Sequence, residues 1–410
     1  WDEPGVGIIT NWDAAWVFVK FREVGGDWRH ATLMSGGHTA PAGITVEPGA
    51  TAGTNVGAFI YRSEQDQGDL SLNNVRLCWH YSANGVLTTN VIDVSVHAIE
   101  MVYVAEGSFD AGDGESDQLQ FTKTEITNSV ANEDGGYPAG QTAPVATWPN
   151  GYGAFYCMKH KITQGQYKDF LNTLTSEQAG LRDLGNYDDC RMRITGTYPN
   201  FTTDAPDRAC NWLSWADLCA FTDWSGLRPM TELEFEKACR GPLDSVAGEH
   251  AWGSTNIFSQ TGHVGVDGSG AETATPTSAN CCYDNKMGGP VRAGIYATAS
   301  SNREEAGASY WGIMELSGDV WERPVTIGNS TGRVFTGIHG NGVLTSEGDA
   351  DVVNWPGIGA LGAGFRGGVW LYGYVYARAS ARALAAVTIL DRRNVSGGRA
   401  VRSAPSGVGL

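Results

Sequence analysis

The sequence predicts an α+β fold preceded by a small all-β unit. Aromatic and β-branched runs of strand length crowd residues 16–104, three capped stretches of helical period lie between residues 163 and 240, and Gly, Ser, Asn and Thr dominate the remainder. The first pattern argues for sheet, the second for a few short helices, and the third for long irregular connections.

The strand signals are Trp16-Val17-Phe18-Val19-Lys20-Phe21, Gly57-Ala58-Phe59-Ile60-Tyr61-Arg62 and Val75-Arg76-Leu77-Cys78-Trp79-His80-Tyr81. Ile92, Val94, Val96 and Ala98 then recur at alternate positions and predict a half-buried strand with those four on its buried side. Several strands joined by Gly-rich links suggest a β-sandwich, so residues 1–98 are read as an accessory domain and residues 99–410 as a second domain.

Helix signals follow. Tyr167, Phe170, Leu171 and Leu174 are spaced three and four apart after Thr163, and Leu218, Ala220, Phe221 and Trp224 follow Ser214 with Asp217 at its third position. Thr231 with Glu234 marks a third, shorter helix.

Composition excludes several partners. The 45 acidic residues outnumber 28 basic ones, a net charge of −17 that opposes a phosphate backbone. No apolar run reaches the roughly 20 residues of a membrane span. The chain opens on Trp1-Asp2-Glu3-Pro4 rather than on a Met and an apolar leader, which fits a removed export signal and an extracellular, cell-surface or virion setting. The eight cysteines contain no CxxC and are compatible with buried thiols or disulfides. Asp189 with Cys190, and Glu304 with Glu305, are adjacent pairs whose side chains diverge or are simply solvated.

Seven blocks then appear in order. Met101-Val102-Tyr103-Val104 precedes Gly107-Ser108-Phe109; Cys157-Met158-Lys159 runs on to Gln166-Tyr167; Leu213-Ser214-Trp215-Ala216-Asp217 is followed by Gly226-Leu227-Arg228-Pro229-Met230-Thr231-Glu232-Leu233-Glu234-Phe235-Glu236. Tyr310-Trp311-Gly312-Ile313-Met314-Glu315-Leu316-Ser317-Gly318-Asp319-Val320-Trp321-Glu322, then Phe365-Arg366-Gly367-Gly368 and Gly398-Arg399-Ala400-Val401-Arg402, complete the series. Together they resemble the formylglycine-generating-enzyme, or sulfatase-modifying-factor, family. The resemblance implies a C-type-lectin-like fold.

The family's enzymes hold copper with two cysteines just after the Arg-Gly-Gly strand. Those positions fall at about Tyr372 and Ala377 here, and no cysteine follows Cys282. Sulfoxide-synthase relatives use a close histidine set for iron, whereas the eight histidines here are isolated. The expectation is therefore no copper, no iron and no enzymatic activity, with an enzyme of displaced chemistry as an alternative. The family's equivalent of Asp319 and Glu322 often binds structural calcium through carboxylate oxygens. Calcium there is one expectation; internal pairing of Glu322 with an arginine is the other.

Residues 366–402 also resemble the variable segment of diversity-generating-retroelement proteins, including phage receptor-binding proteins that display changeable residues on this lectin fold. Residues 371–403 contain no Lys, Glu, Gln, Met or Trp, the types that adenine-directed mutagenesis of Asn-type codons does not reach. This implies a binding surface for a protein or glycan at Leu371, Tyr372, Tyr374 and Tyr376, with Thr388, Ile389 and Leu390 behind them and Val369, Leu384 and Asn394 alongside. Arg366, Trp370, Arg399 and Arg402 read as framework. A surface-layer, virion or filament subunit is the structural alternative, and a homo-oligomer or larger assembly is compatible with either reading.

Overall fold

The computed structural model describes residues 13–405 apart from 64–67, 69, 116–118, 138–140 and 186–188. The chain's opening Trp1-Asp2-Glu3-Pro4 lies outside the described residues. The main sheet contains β1 (Ala14–Glu23), β2 (Ile44–Thr51), β3 (Thr54–Arg62), β4 (Ile92–Val104), β5 (Phe155–Met158), β6 (Arg228–Pro229) and β7 (Ala400–Ser403). Its order is β6-β7-β5-β4-β1-β3-β2, with a short Arg29–His30 strand beside β1.

This continuity corrects the expected boundary at residue 98, which falls inside β4. One end of β4 pairs with β1 over its whole length, and the other pairs with β5 through Val102 and Cys157. The strands of residues 14–62 join one sheet rather than forming a separate sandwich. Trp16 is fully buried and donates from Nε1 to the Ser225 carbonyl at 2.8 Å. Phe18 meets Trp224 edge-on at 4.9 Å, so both regions share one apolar cluster. Gly57 permits this approach: a Cβ there would lie 2.5 Å from the Trp16 ring.

The buried side of β4 is opposite to the expected one. Val94 and Val96 face outward, while His97 stacks on Phe18 at 5.2 Å and Ile99 is buried. The alternation revealed a strand but not which side the rest of the chain would cover. Residues 75–81 form no strand; Arg76 and Trp79 make isolated bridges to Thr39 and Leu33.

Helices α1 (Gln164–Asn172), α2 (Ser176–Arg182), α3 (Trp215–Trp224) and α4 (Glu232–Arg240) each begin with a reciprocal capping box. The Thr163, Ser214 and Thr231 caps match the sequence reading. Helix α2 was absent from that reading, although Thr175 and Gln178 carry its local signal. Among the described residues no helix is long and apolar enough to cross a membrane.

Candidate ligand-binding surface

The C-terminal segment is held by charges on α4. Glu232, Glu236 and Arg240 follow one another at four-residue steps, which places them on one helical face. Arg366 bridges the first two: Nη1 donates to Glu232 at 3.1 Å and Nη2 to Glu236 at 2.6 Å. Arg382 donates from Nε to Glu232 at 2.6 Å, and Arg240 donates to Glu236 at 2.8 Å and to Ser380 at 2.7 Å. Burial alone would raise both carboxyl pKa values, but Arg382 and Arg366 around Glu232, and Arg366 and Arg240 around Glu236, hold them below the ordinary value. These pairs fix the loop's register at residues 366, 380 and 382.

Gly368 completes the bend with φ +76°, and a Cβ there would reach the Ala377 backbone at 2.8 Å. A short 3₁₀ turn, Tyr374–Ala377, then carries the aromatic residues. Tyr372 and Tyr374 are 39% and 47% exposed. The Tyr372 and Tyr376 rings lie 5.7 Å apart, each about one ring width from buried Trp321 at 6.2 and 6.1 Å. Thr388 and Leu390 are exposed further along, while Leu371, Tyr376, Leu384 and Ile389 are half-buried against the same cluster.

Val369 does not belong to this surface. Its side chain is 1% exposed in the cluster with Trp321 and Trp370, because the turn after Gly368 aims it inward. Asn394 is half-buried and donates to the Cys190 sulfur at 3.0 Å, while its carbonyl accepts from Trp370 Nε1 at 3.1 Å. Arg366, Trp370, Arg399 and Arg402 are all buried, as framework residues require.

The positions corresponding to the family's copper ligands present a phenol and a methyl group. Tyr372 points to the surface, and buried Ala377 accepts a hydrogen bond from Ser317 at 2.6 Å through its carbonyl. These residues do not fit a dithiolate copper site. All eight cysteines are unpaired, and burial pushes the Cys281 and Cys282 thiols up, away from the thiolate form.

Around Asp319 and Glu322 the structure brings together the Lys161 ammonium group and the Arg399 guanidinium. Lys161, itself buried, donates from Nζ to the Gly318 carbonyl at 3.0 Å and the Val320 carbonyl at 2.5 Å. The same Nζ is 3.4 Å from Glu322, whose carboxylate also accepts from Arg399 at 2.7 Å. Asp319 accepts from the Val291 amide at 2.9 Å, and burial pushes its carboxyl up to about 6. The pairing of Glu322 with an arginine is thus present, and Lys161 is the member that no sequence spacing announced.

A second acidic group lies at His263, Asp267 and Glu272, whose potential ligand atoms fall within 4.8 Å. Arg191 and Arg208 already contact both carboxylates, at 2.7 and 2.8 Å to Asp267 and 3.2 and 2.9 Å to Glu272. That arrangement is an ion-pair hub. A shallow cleft of about 370 Å³ is lined by Lys159, His160 and Arg292 with Gly294, Gly312 and Met314, and Lys159 is paired with Glu100 at 2.6 Å.

The fold and this surface define a mixed α+β scaffold that braces an aromatic loop through buried ion pairs. The chain belongs to the sulfatase-modifying factor family: residues 91–404 match the Sulfatase-modifying factor enzyme 1-like domain. That match agrees with the sequence blocks and begins at the start of the shared strand β4. No curated protein matches the chain.

Proposed function

We propose that this chain is a non-catalytic recognition protein whose lectin-type scaffold offers Tyr372, Tyr374, Thr388 and Leu390 to a protein or glycan ligand. The observation that carries this reading is the contrast within one segment: exposed tyrosines stand between Arg366 and Arg382, which are locked into the same buried carboxylate. A loop held this way loses little further entropy when its tyrosines bind. The phenol and methyl group at Tyr372 and Ala377 support a role without the family's copper chemistry. In this reading Lys161 replaces calcium beside Asp319 and Glu322, and the variable-protein resemblance supports a setting outside the cell or on a virion.

Natural copies of the gene provide the test. Substitutions are expected to gather at Leu371, Tyr372, Tyr374, Thr388 and Leu390 while Val369, Trp370 and Arg366 stay constant. Substitutions spread evenly over the surface would overturn the reading. As a control, L390D should leave stability within about 0.5 kcal/mol, whereas V369D should unfold the domain.

A further inference from the structure

Among the described residues Arg323 is a buried guanidinium without a carboxylate partner. It is 2% exposed and lies over the Phe365 ring, 4.5 Å from its centroid, with Trp215 at 5.9 Å. Nη2 donates to the Ile389 carbonyl at 2.9 Å, whereas Nε and Nη1 meet no acceptor. Arg366, Arg382, Arg240 and Arg399 are equally buried, but each rests on a glutamate. Asp217, whose charge acts on Arg323, already serves Arg182 and Arg392. Leaving buried donors unmet is destabilising, because the water they lose is not replaced by an acceptor.

The surroundings point to what would meet them. Val387, Thr388 and Leu390 are exposed around Ile389, whose carbonyl is the acceptor that meets Arg323 among the described residues. Arg393 follows, exposed and without an ion-pair partner among the described residues; its charge also acts on Arg323. Trp215 connects the site to a second loop, because its indole donates to Pro356 at 2.8 Å, and Ile358 and Leu361 in that loop are 61% and 54% exposed.

We infer that Arg323 and Arg393 form a carboxylate-binding site, closed by the Ile389 carbonyl, that takes an acidic side chain of a protein ligand. When that carbonyl yields, Nη2 becomes available beside its neighbouring nitrogens as a two-pronged donor, the geometry that suits a carboxylate. Exposed Val387, Leu390, Ile358 and Leu361 favour an acidic residue flanked by apolar ones over a polyhydroxylated acidic sugar. The inference rests on the C-terminal segment being a ligand surface but uses residues outside its tyrosine group.

The test titrates the full chain with capped Ala-Leu-Glu-Leu-Ala, its Gln isostere and glucuronate, read by NMR shifts at Trp215 and Ile389. The acidic peptide is expected to bind at least about tenfold more tightly than its isostere. R323M should abolish that preference while melting at or above the wild-type temperature, since it removes an unpaired buried charge. R323K, which keeps charge without the fork, should also lose most of the preference, and R393Q should weaken it several-fold with the fold intact. Equal binding of the two peptides, a preference that survives R323M and R323K, or tighter binding of glucuronate would overturn the inference. If it fails while natural substitutions still gather at Tyr372 and Tyr374, the recognition reading stands without it; if they do not gather, that reading falls on its own evidence.

Discussion

Arg366 donates from Nη2 to Glu236 at 2.6 Å, joining the start of the C-terminal segment to the middle of helix α4. Neither group is accessible to solvent, and Glu232 accepts from the other arm of the same guanidinium. Removing one member of such a pair leaves charge buried without its partner. R366M is therefore expected to cost about 3–5 kcal/mol, measured as a lowered urea midpoint with unchanged slope. A midpoint like that of the wild type would show that Arg382 and Arg240 suffice to hold the loop.

Lys161 makes a separate prediction. Its ammonium gathers the Gly318 and Val320 carbonyls and the Glu322 carboxylate, a set of hard oxygen donors. Neither chelator nor added calcium should move the wild-type melting temperature. K161A should melt lower and recover part of the loss in millimolar calcium. Destabilisation of the wild type by chelator would show that a metal, not the lysine, supplies the charge.

The pH dependence has two limbs. Burial, with Glu315 adding to it, raises the Asp319 carboxyl from 3.8 to about 6, so its stabilising contribution is complete below 3.8 and is lost as pH rises through about 6. Glu232 and Glu236 are lowered from 4.5; their contribution is present above that value and is lost as pH falls through their folded values. Between about pH 4 and about pH 6 the wild-type melting temperature should therefore decline relative to that of D319N, which lacks this titration but keeps an acceptor for the Val291 amide. Buried Asp223, raised to about 7, retains part of the slope. Calorimetry showing equal declines in both proteins would remove Asp319 from this account.

Trp16 tests whether the first strands and the family domain are one folding unit. W16A should cost about 3–5 kcal/mol, because it empties a site shared by β1 and the Ser225 end of α3. Unfolding should remain a single transition by fluorescence and circular dichroism. A first transition that leaves α1, α3 and α4 intact would restore the two-domain description.

The parts legible in the sequence were those governed by neighbouring residues. Thr163, Ser214 and Thr231 mark helix starts because a hydroxyl meets an amide three residues away, and the same rule at Thr175 would have located α2. The ordered blocks identified the family, and Arg366 was recognisable within them as framework. Tyr372 and Tyr374 were singled out by the resemblance to the variable segment, and both are exposed.

What only the tertiary structure decided depends on partners far away in the chain. Alternation along β4 defines two faces but carries no sign, so the burial of His97 rather than Val96 required α3 and Trp224 to be in place. Val369 turns inward because Gly368 bends the backbone before it. A charge likewise has no sequence signature for its partner: Lys161 finds Glu322 across the fold, Arg366 finds Glu236, and Arg323 finds only a carbonyl. Local hydrogen bonds determined where the helices begin, whereas long-range burial determined which charges are matched and which side chains are left exposed.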